Sequence, residues 1–226
     1  WLTLAIVSSA LFLIVVDMTV LYTALPALTR DLQASASEKL WIINVYALVV
    51  SGLLPGLGTL GDRLSHKPVF LAGLAVFGIA SLCAALSPTA MTLIASRALL
   101  AVGAAMIVPA TLAGIRSTFS QAHQRNMALG LWAAVGSGGA AFGPLVGGML
   151  LEHFYWGSVF LINVPIVLVV MALTARLVPR QAGRRDQSLN FGHAIMLIVA
   201  ILLLVYSAKT ALKGHTATVA IALTLL

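Results

Sequence analysis

Charge is scarce in this chain. Of its 226 residues 8% are charged, with 6 acidic ones, whereas soluble domains carry about a quarter. That is too little polar surface to hold a protein of this size in water. A soluble enzyme, a disordered chain and a nucleic-acid-binding domain are excluded on these grounds. Cysteine is nearly absent: Cys83 alone permits no internal disulfide and no thiolate metal site, and it reads as a small packing residue. The five histidines, at positions 66, 123, 153, 193 and 215, are scattered near the ends of apolar runs, with no pair at metal-ligand spacing. No Ser/His/Asp or Cys/His constellation is legible, so nothing in the chain suggests an enzyme. The stretch 56–61 matches the Gly-x-Gly-x-x-Gly dinucleotide fingerprint, but that motif needs a preceding strand and a later acid. Here it closes an apolar run and leads into Asp62 and Arg63. No cofactor is expected.

What is abundant is apolar surface: 61% of residues are hydrophobic and the mean hydropathy is +1.06. The useful unit for such a chain is about 20 apolar residues per membrane crossing. Charge-free runs mark the crossings. Residues 1–29 hold one charge, Asp17, and 40–61 hold none. The run 68–96 is divided by a Ser87-Pro88-Thr89 turn signal, and the helix that begins there continues past Arg97 to about 115. Further spans are 126–151, 155–175 and 191–208, and another begins at 216. The alternation of a membrane β-barrel is missing, so the spans are helices. The chain starts at Trp1 rather than Met and stops at Leu226 inside an apolar run. We read it as part of a longer protein.

Loop charges set an expected orientation. The second, fourth and sixth loops carry eight basic residues (Arg63, Lys67, Arg116, Arg125, Arg176, Arg180, Arg184, Arg185). The opposite loops carry four: Arg30, Lys39, Lys209 and Lys213. The excess places the even loops in the cytoplasm, so the pI near 10.2 is a topology signal. The polar stretch 178–190 (VPRQAGRRDQSLN) reads as a linker after six helices, with anionic lipid headgroups as a weaker role.

Three features carry chemistry. Asp17 lies mid-span in the first helix, where a carboxylate costs about 2.5–3.5 kcal/mol on insertion scales and so faces a cavity or a partner. It is either an acid that exchanges a proton for a cation or a structural acid bonded to a neighbouring helix. Arg97 is the one cation inside a span; it shares a face with Ala101, Ala105 and Pro109, small residues that let another backbone approach its guanidinium. It either serves the same centre or extends to the nearer surface. If the six helices are two three-helix repeats, Asp17 and Arg97 stand on corresponding first helices, a transporter design. Gly139, Gly143 and Gly147 recur every fourth residue beside Pro144 and Gly148, which predicts close helix packing and a kink.

Several segments resemble the major facilitator superfamily. The stretch 58–68 (GTLGDRLSHKP) is similar to its signature between helices 2 and 3, and 139–148 (GAAFGPLVGG) to the antiporter motif of its fifth helix. Residues 93–105 (LIASRALLAVGAA) resemble the fourth-helix motif around its arginine. Val16 to Val20, closing in Ala24-Leu25-Pro26, resembles the first-helix motif of the fourteen-helix drug/H⁺ antiporters, and 160–165 (FLINVP) their sixth-helix segment. Stretches 104–111, 151–158 and 178–214 are similar to pumps of that group that confer resistance to toxic cations.

The resemblance implies an all-α polytopic membrane protein: a six-helix bundle over 1–177, a basic cytoplasmic linker over 178–190, and helix 7 with the start of helix 8 over 191–226. It implies proton-gradient-driven export of lipophilic organic cations (quaternary ammonium compounds, biguanides, dyes, methyl viologen) across the bacterial inner membrane. The implied partners are these drugs, protons, the bilayer and the second six-helix bundle of the same polypeptide, with no nucleic acid. Asp17 and Arg97 would serve proton and cation coupling; Gly58, Asp62, Arg63 and Lys67 the cytoplasmic gate; Gly139, Gly143, Pro144, Gly147 and Gly148 the antiporter motif. Met18, Trp41, Asn44 and Tyr46 would line the substrate cavity. Three departures stand out: Ser65 and His66 replace the usual Gly-Arg, Ala101 a usual Gly, and Asn44 an Asp often found in cation exporters. Export of another small solute and a membrane sensor that moves nothing are the alternatives.

Overall fold

The computed structural model describes residues 1–178 together with Met196, and for residues 59, 60 and 62–64 the backbone alone. Linker residues 179–190 and the two helices expected over 191–226 lie outside the described residues.

The described chain is helical, with no strand among its residues. Its elements are α1 (Leu2–Asp31), α2 (Ala36–Leu64), α3 (His66–Ala85), α4 (Ala90–Thr118), α5 (Ala122–His153), α6 (Ser158–Leu161) and α7 (Asn163–Leu177). The short α6 and α7 form one span, giving six helices long and apolar enough to cross a membrane. Hydroxyl caps fix two starts. Ser35 and Glu38 exchange hydrogen bonds at the head of α2, and Thr89 and Thr92 do so at the head of α4, satisfying backbone donors that have no partner within the first turn.

Two helices run furthest beyond their charge-free sequences. α2 continues through the stretch around Gly58 that reads as a loop, so the link to α3 shrinks to Ser65; α5 begins at Ala122 and takes His123, Gln124 and Arg125 into its first turn. The charge-free run reports the depth of hydrocarbon, whereas a helix continues while it can keep its own hydrogen bonds. Pro26, Pro55, Pro109 and Pro144 all sit inside unbroken helices. Cys83, expected inside the packing, is exposed.

The helices exchange partners. α1 lies along α5 and α2 along α4, so the first helix of each set of three packs on the second helix of the other; α3 packs on α4 and α7. At the α3–α4 crossing two glycines meet. A Cβ on Gly103 would stand 2.9 Å from the Gly73 carbonyl oxygen and 2.8 Å from the Phe77 nitrogen, so the two backbones touch. Leu13, Leu21, Leu74, Phe77, Leu93, Leu100 and Phe160 fill the centre and are excluded from solvent.

Candidate functional site

Among the described residues the buried charged side chains of the bundle meet at one knot. Asp17 and Arg97, on α1 and α4, are 0% and 2% exposed and meet there, Nη1 to Oδ2, at 3.4 Å. The guanidinium also donates through Nε to the carbonyl of Ile42 in α2, at 3.3 Å, and stands 4.9 Å over the ring of Tyr46. Asn163 donates from Nδ2 to the other carboxylate oxygen of Asp17, at 2.7 Å, and more weakly to Ser81 Oγ of α3, at 3.3 Å. Five helices therefore contribute to the knot, α2 with both a carbonyl and a ring. Buried and unpartnered among these atoms are the Tyr46 hydroxyl and Asn163 Oδ1.

Local sequence explains why the groups reach each other. Ala101, Gly103, Ala104 and Ala105 keep the buried side of α4 thin, which brings α2 and α3 within reach of Arg97. Asn163 opens α7 at the break after α6, two residues before Pro165. A proline in the first turn gives up a donor that has no intrahelical partner there, so the break costs little and turns the amide inward. Neither charge would survive alone at this depth. Removing one partner of a buried pair typically costs about 3–5 kcal/mol, because the other is left uncompensated.

A second feature is the seam between α1 and α5. Gly139, Gly143 and Gly147 are buried against α1. A Cβ on Gly139 would lie 3.2 Å from the Phe12 carbonyl oxygen, and one on Gly147 would lie 2.8 Å from Val20 Cγ2. At Gly143 it would overlap Thr19 Oγ1 outright. Gly148 faces open space and Pro144 is exposed, so the motif has two sides: glycine against α1, and a free face.

The third feature is the end of the bundle that bears the loop signature. Lys67 Nζ donates to the carbonyls of Ala175 and Val178, at 2.9 and 2.6 Å, and so caps the C-terminus of α7. Ser65 between α2 and α3 adopts φ 93 and ψ 138, a conformation that suits glycine, and its hydroxyl is buried without a partner. Gly58 lies at ordinary contact distance from Pro109, its Cβ position 3.7 Å away. The side chains of Asp62 and Arg63 lie outside the described residues. At the opposite end Trp156 Nε1 donates to Asp31 Oδ2 at 2.6 Å, fastening the start of the last span to the end of α1.

The residues named for the substrate cavity divide. Met18, Trp41 and Asn44 are exposed, whereas Tyr46 belongs to the buried knot. Sequence reasoning gave no role to Asn163, Ser81, Thr19 or the Asp31–Trp156 pair. For Asn163 a signal was available, since an amide in an otherwise apolar span must find a partner.

A sequence profile of the major facilitator superfamily matches residues 7–225. The chain belongs to the major facilitator superfamily. Among its relatives, the methyl viologen resistance protein SmvA of Salmonella typhimurium is 66% identical over 226 residues, all of this chain and 46% of that protein. The multidrug efflux pump LfrA of Mycolicibacterium smegmatis is 42% identical over 211 residues, 93% of this chain and 42% of that protein. The riboflavin transporter RibZ of Clostridioides difficile is 34% identical over 180 residues, 80% of this chain and 39% of that protein. The chain thus spans less than half the length of these relatives. Its superfamily, its bacterial relatives and the six spans among its described residues mark it as part of a multi-pass protein of the bacterial inner membrane, and LfrA and RibZ are by name an efflux pump and a transporter.

Proposed function

We propose that the chain is the first half of a proton-coupled antiporter that exports lipophilic organic cations, methyl viologen and quaternary ammonium compounds among them. The observation that carries this reading is the Asp17–Arg97 pair, a titratable acid and its counter-ion shut inside an apolar bundle. A carboxylate there either holds a proton or balances a cation, and trading one for the other is antiport. Likeness to SmvA and LfrA supports a toxic cation as the traded ion. Met18, Trp41 and Asn44, exposed on this half, would line the cavity shared with the second six-helix bundle. Residues 1–177 form one transport unit of two three-helix repeats, 178–190 a cytoplasmic linker, and 191–226 the start of a central helix pair in a fourteen-helix protein. The Gly58–Lys67 segment gates the cytoplasmic side, and the α1–α5 seam carries the rocking motion. The lysine and arginine bias supports that orientation; labelling of a cysteine at position 182 by an impermeant reagent in intact cells would refute it.

The test is pH-gradient-driven ethidium efflux from vesicles holding the complete polypeptide. Asp17→Asn retains shape and hydrogen bonding but not charge, so efflux should collapse at matched protein level. Asp17→Glu should retain part of it. Near-normal efflux by Asp17→Asn removes the acid from the mechanism. A second reading, transport of an uncharged solute, is favoured by the likeness to RibZ. It predicts transport that survives Asp17→Asn and shows no preference for cations. A sensor that moves nothing shows no flux in either assay.

A further inference from the structure

An acid that gains and loses a proton inside a bundle needs partners for both states. Arg97 suits only one of them, because a guanidinium donates and never accepts. Its contact with Asp17 is also long, at 3.4 Å, and uses one nitrogen. The shorter bond, 2.7 Å, comes from Asn163 to the opposite oxygen. An amide is a donor on one side and an acceptor on the other, and a half-turn about its terminal torsion exchanges them.

We propose that Asn163 is a positioning residue that holds Asp17 in either protonation state by turning its amide over. With Asp17 ionised, Nδ2 donates to both Asp17 Oδ1 and Ser81 Oγ, as seen. Asn163 Oδ1 then points to the far side, buried and without a partner. With a proton taken from the aqueous side onto Asp17 Oδ1, the turned amide presents its oxygen to the same two groups. It accepts from the carboxyl O–H and from the Ser81 hydroxyl, which rotates from acceptor to donor. Nδ2 moves to the position that Oδ1 has left. Each state thus makes two bonds to the amide, with Oδ1 lacking a partner in the one and Nδ2 in the other, and protonation releases Arg97 from its charged partner. The ionisable groups facing Asp17 are Arg97 of α4 and Tyr46 of α2, with Tyr22 of α1 beyond them near Arg97. Among the described residues α3, α6 and α7 bring only neutral groups to the knot, Ser81 and Asn163, and the charges of α5 and α7 lie near their ends. Ser81 and Asn163 would also carry the protonation state of α1 to α3 and to the break that opens α7.

This inference rests on the proposed role of Asp17 as the coupling acid. It is tested by ethidium binding to the purified complete polypeptide between about pH 6 and pH 8, in the wild type and three variants. Asn163→Leu matches the amide in size but neither donates nor accepts. Asn163→Ser does both at shorter reach. We expect Asn163→Leu to flatten the pH dependence of binding at least threefold and Asn163→Ser to retain most of it. A uniform loss of affinity in Asn163→Leu, with the slope preserved, would overturn the proposal and leave Asn163 a packing residue. Equal flattening by both variants would also overturn it, since any disturbance of the break would then suffice. If Asn163→Leu does not fold, infrared difference spectra of the wild type and Asn163→Ser across the same pH step decide. The carboxyl band of Asp17 must be accompanied by an amide side-chain band that vanishes in Asn163→Ser, and its absence in the wild type overturns the proposal. Asp17→Asn separates the two claims: if it keeps the wild-type slope, the coupling reading fails before Asn163 is at issue.

Discussion

Two contacts on α1 follow opposite rules. At the knot, α1 presents a charge and four other helices supply groups to meet it. Two residues later, at the seam, it presents Thr19 and α5 supplies nothing, because Gly143 has no side chain there. The knot is held by electrostatic compensation in a region of low dielectric, where losing a partner is expensive. The seam is held by close van der Waals approach, with Thr19 seated over Gly143. In the proposed rocking motion α1 would pivot about its polar contact while shifting along the glycine face of α5.

The largest effect should come from breaking the knot on one side. Arg97→Met leaves the Asp17 carboxylate with the Asn163 amide but no counter-charge, and should destabilise the bundle by about 3–5 kcal/mol in detergent melts of the complete polypeptide. Adding Asp17→Asn should recover more than half of that loss. Additive losses would mean that the 3.4 Å pair is not coupled.

Next comes the seam. Gly143→Leu forces a branched side chain into Thr19 and should cost about 1–3 kcal/mol, with efflux falling further than expression. Normal efflux from a well-expressed variant would remove the seam from the mechanism. The adjacent pair Gly138 and Gly139 sharpens the point. A Cβ at Gly138 meets nothing within 4 Å, so Gly138→Ala should be neutral or stabilise by up to about 1 kcal/mol through helix propensity. Gly139→Ala meets the Phe12 carbonyl at 3.2 Å and should destabilise. Melting temperatures that move in the same direction for both would contradict this assignment of faces.

The smallest expected effect lies at the end of the bundle near Lys67. Ser65→Gly removes a side chain from a backbone with φ 93 and frees a buried hydroxyl from its lack of a partner, so it should stabilise by about 1 kcal/mol. A lower melting temperature would show that the Ser65 hydroxyl has a partner supplied by the rest of the polypeptide.

Much of this architecture was legible from residue order. The spans, the isolated Asp17 and Arg97 within them, and the glycine spacing of 139, 143 and 147 follow from the transfer free energy of each segment, which is close to additive along a chain. Boundaries were less legible. Charge-free runs end where water begins, while α2 and α5 continue as helix beyond that point. Asn163 was visible as a polar residue in an apolar run, yet its sequence neighbours say nothing about Asp17, 146 positions earlier.

What residue order alone determined, then, is how many segments enter the membrane and which polar groups they take with them, since each segment is charged separately for its transfer from water. Which groups meet was decided only in the folded bundle. Pairing depends on how far each helix is rotated and how deep it sits, and those are set by neighbours packing against it. The thin face of α4 admits α2 and α3, the break before Asn163 turns an amide toward Asp17, and the bare face of α5 draws in Thr19.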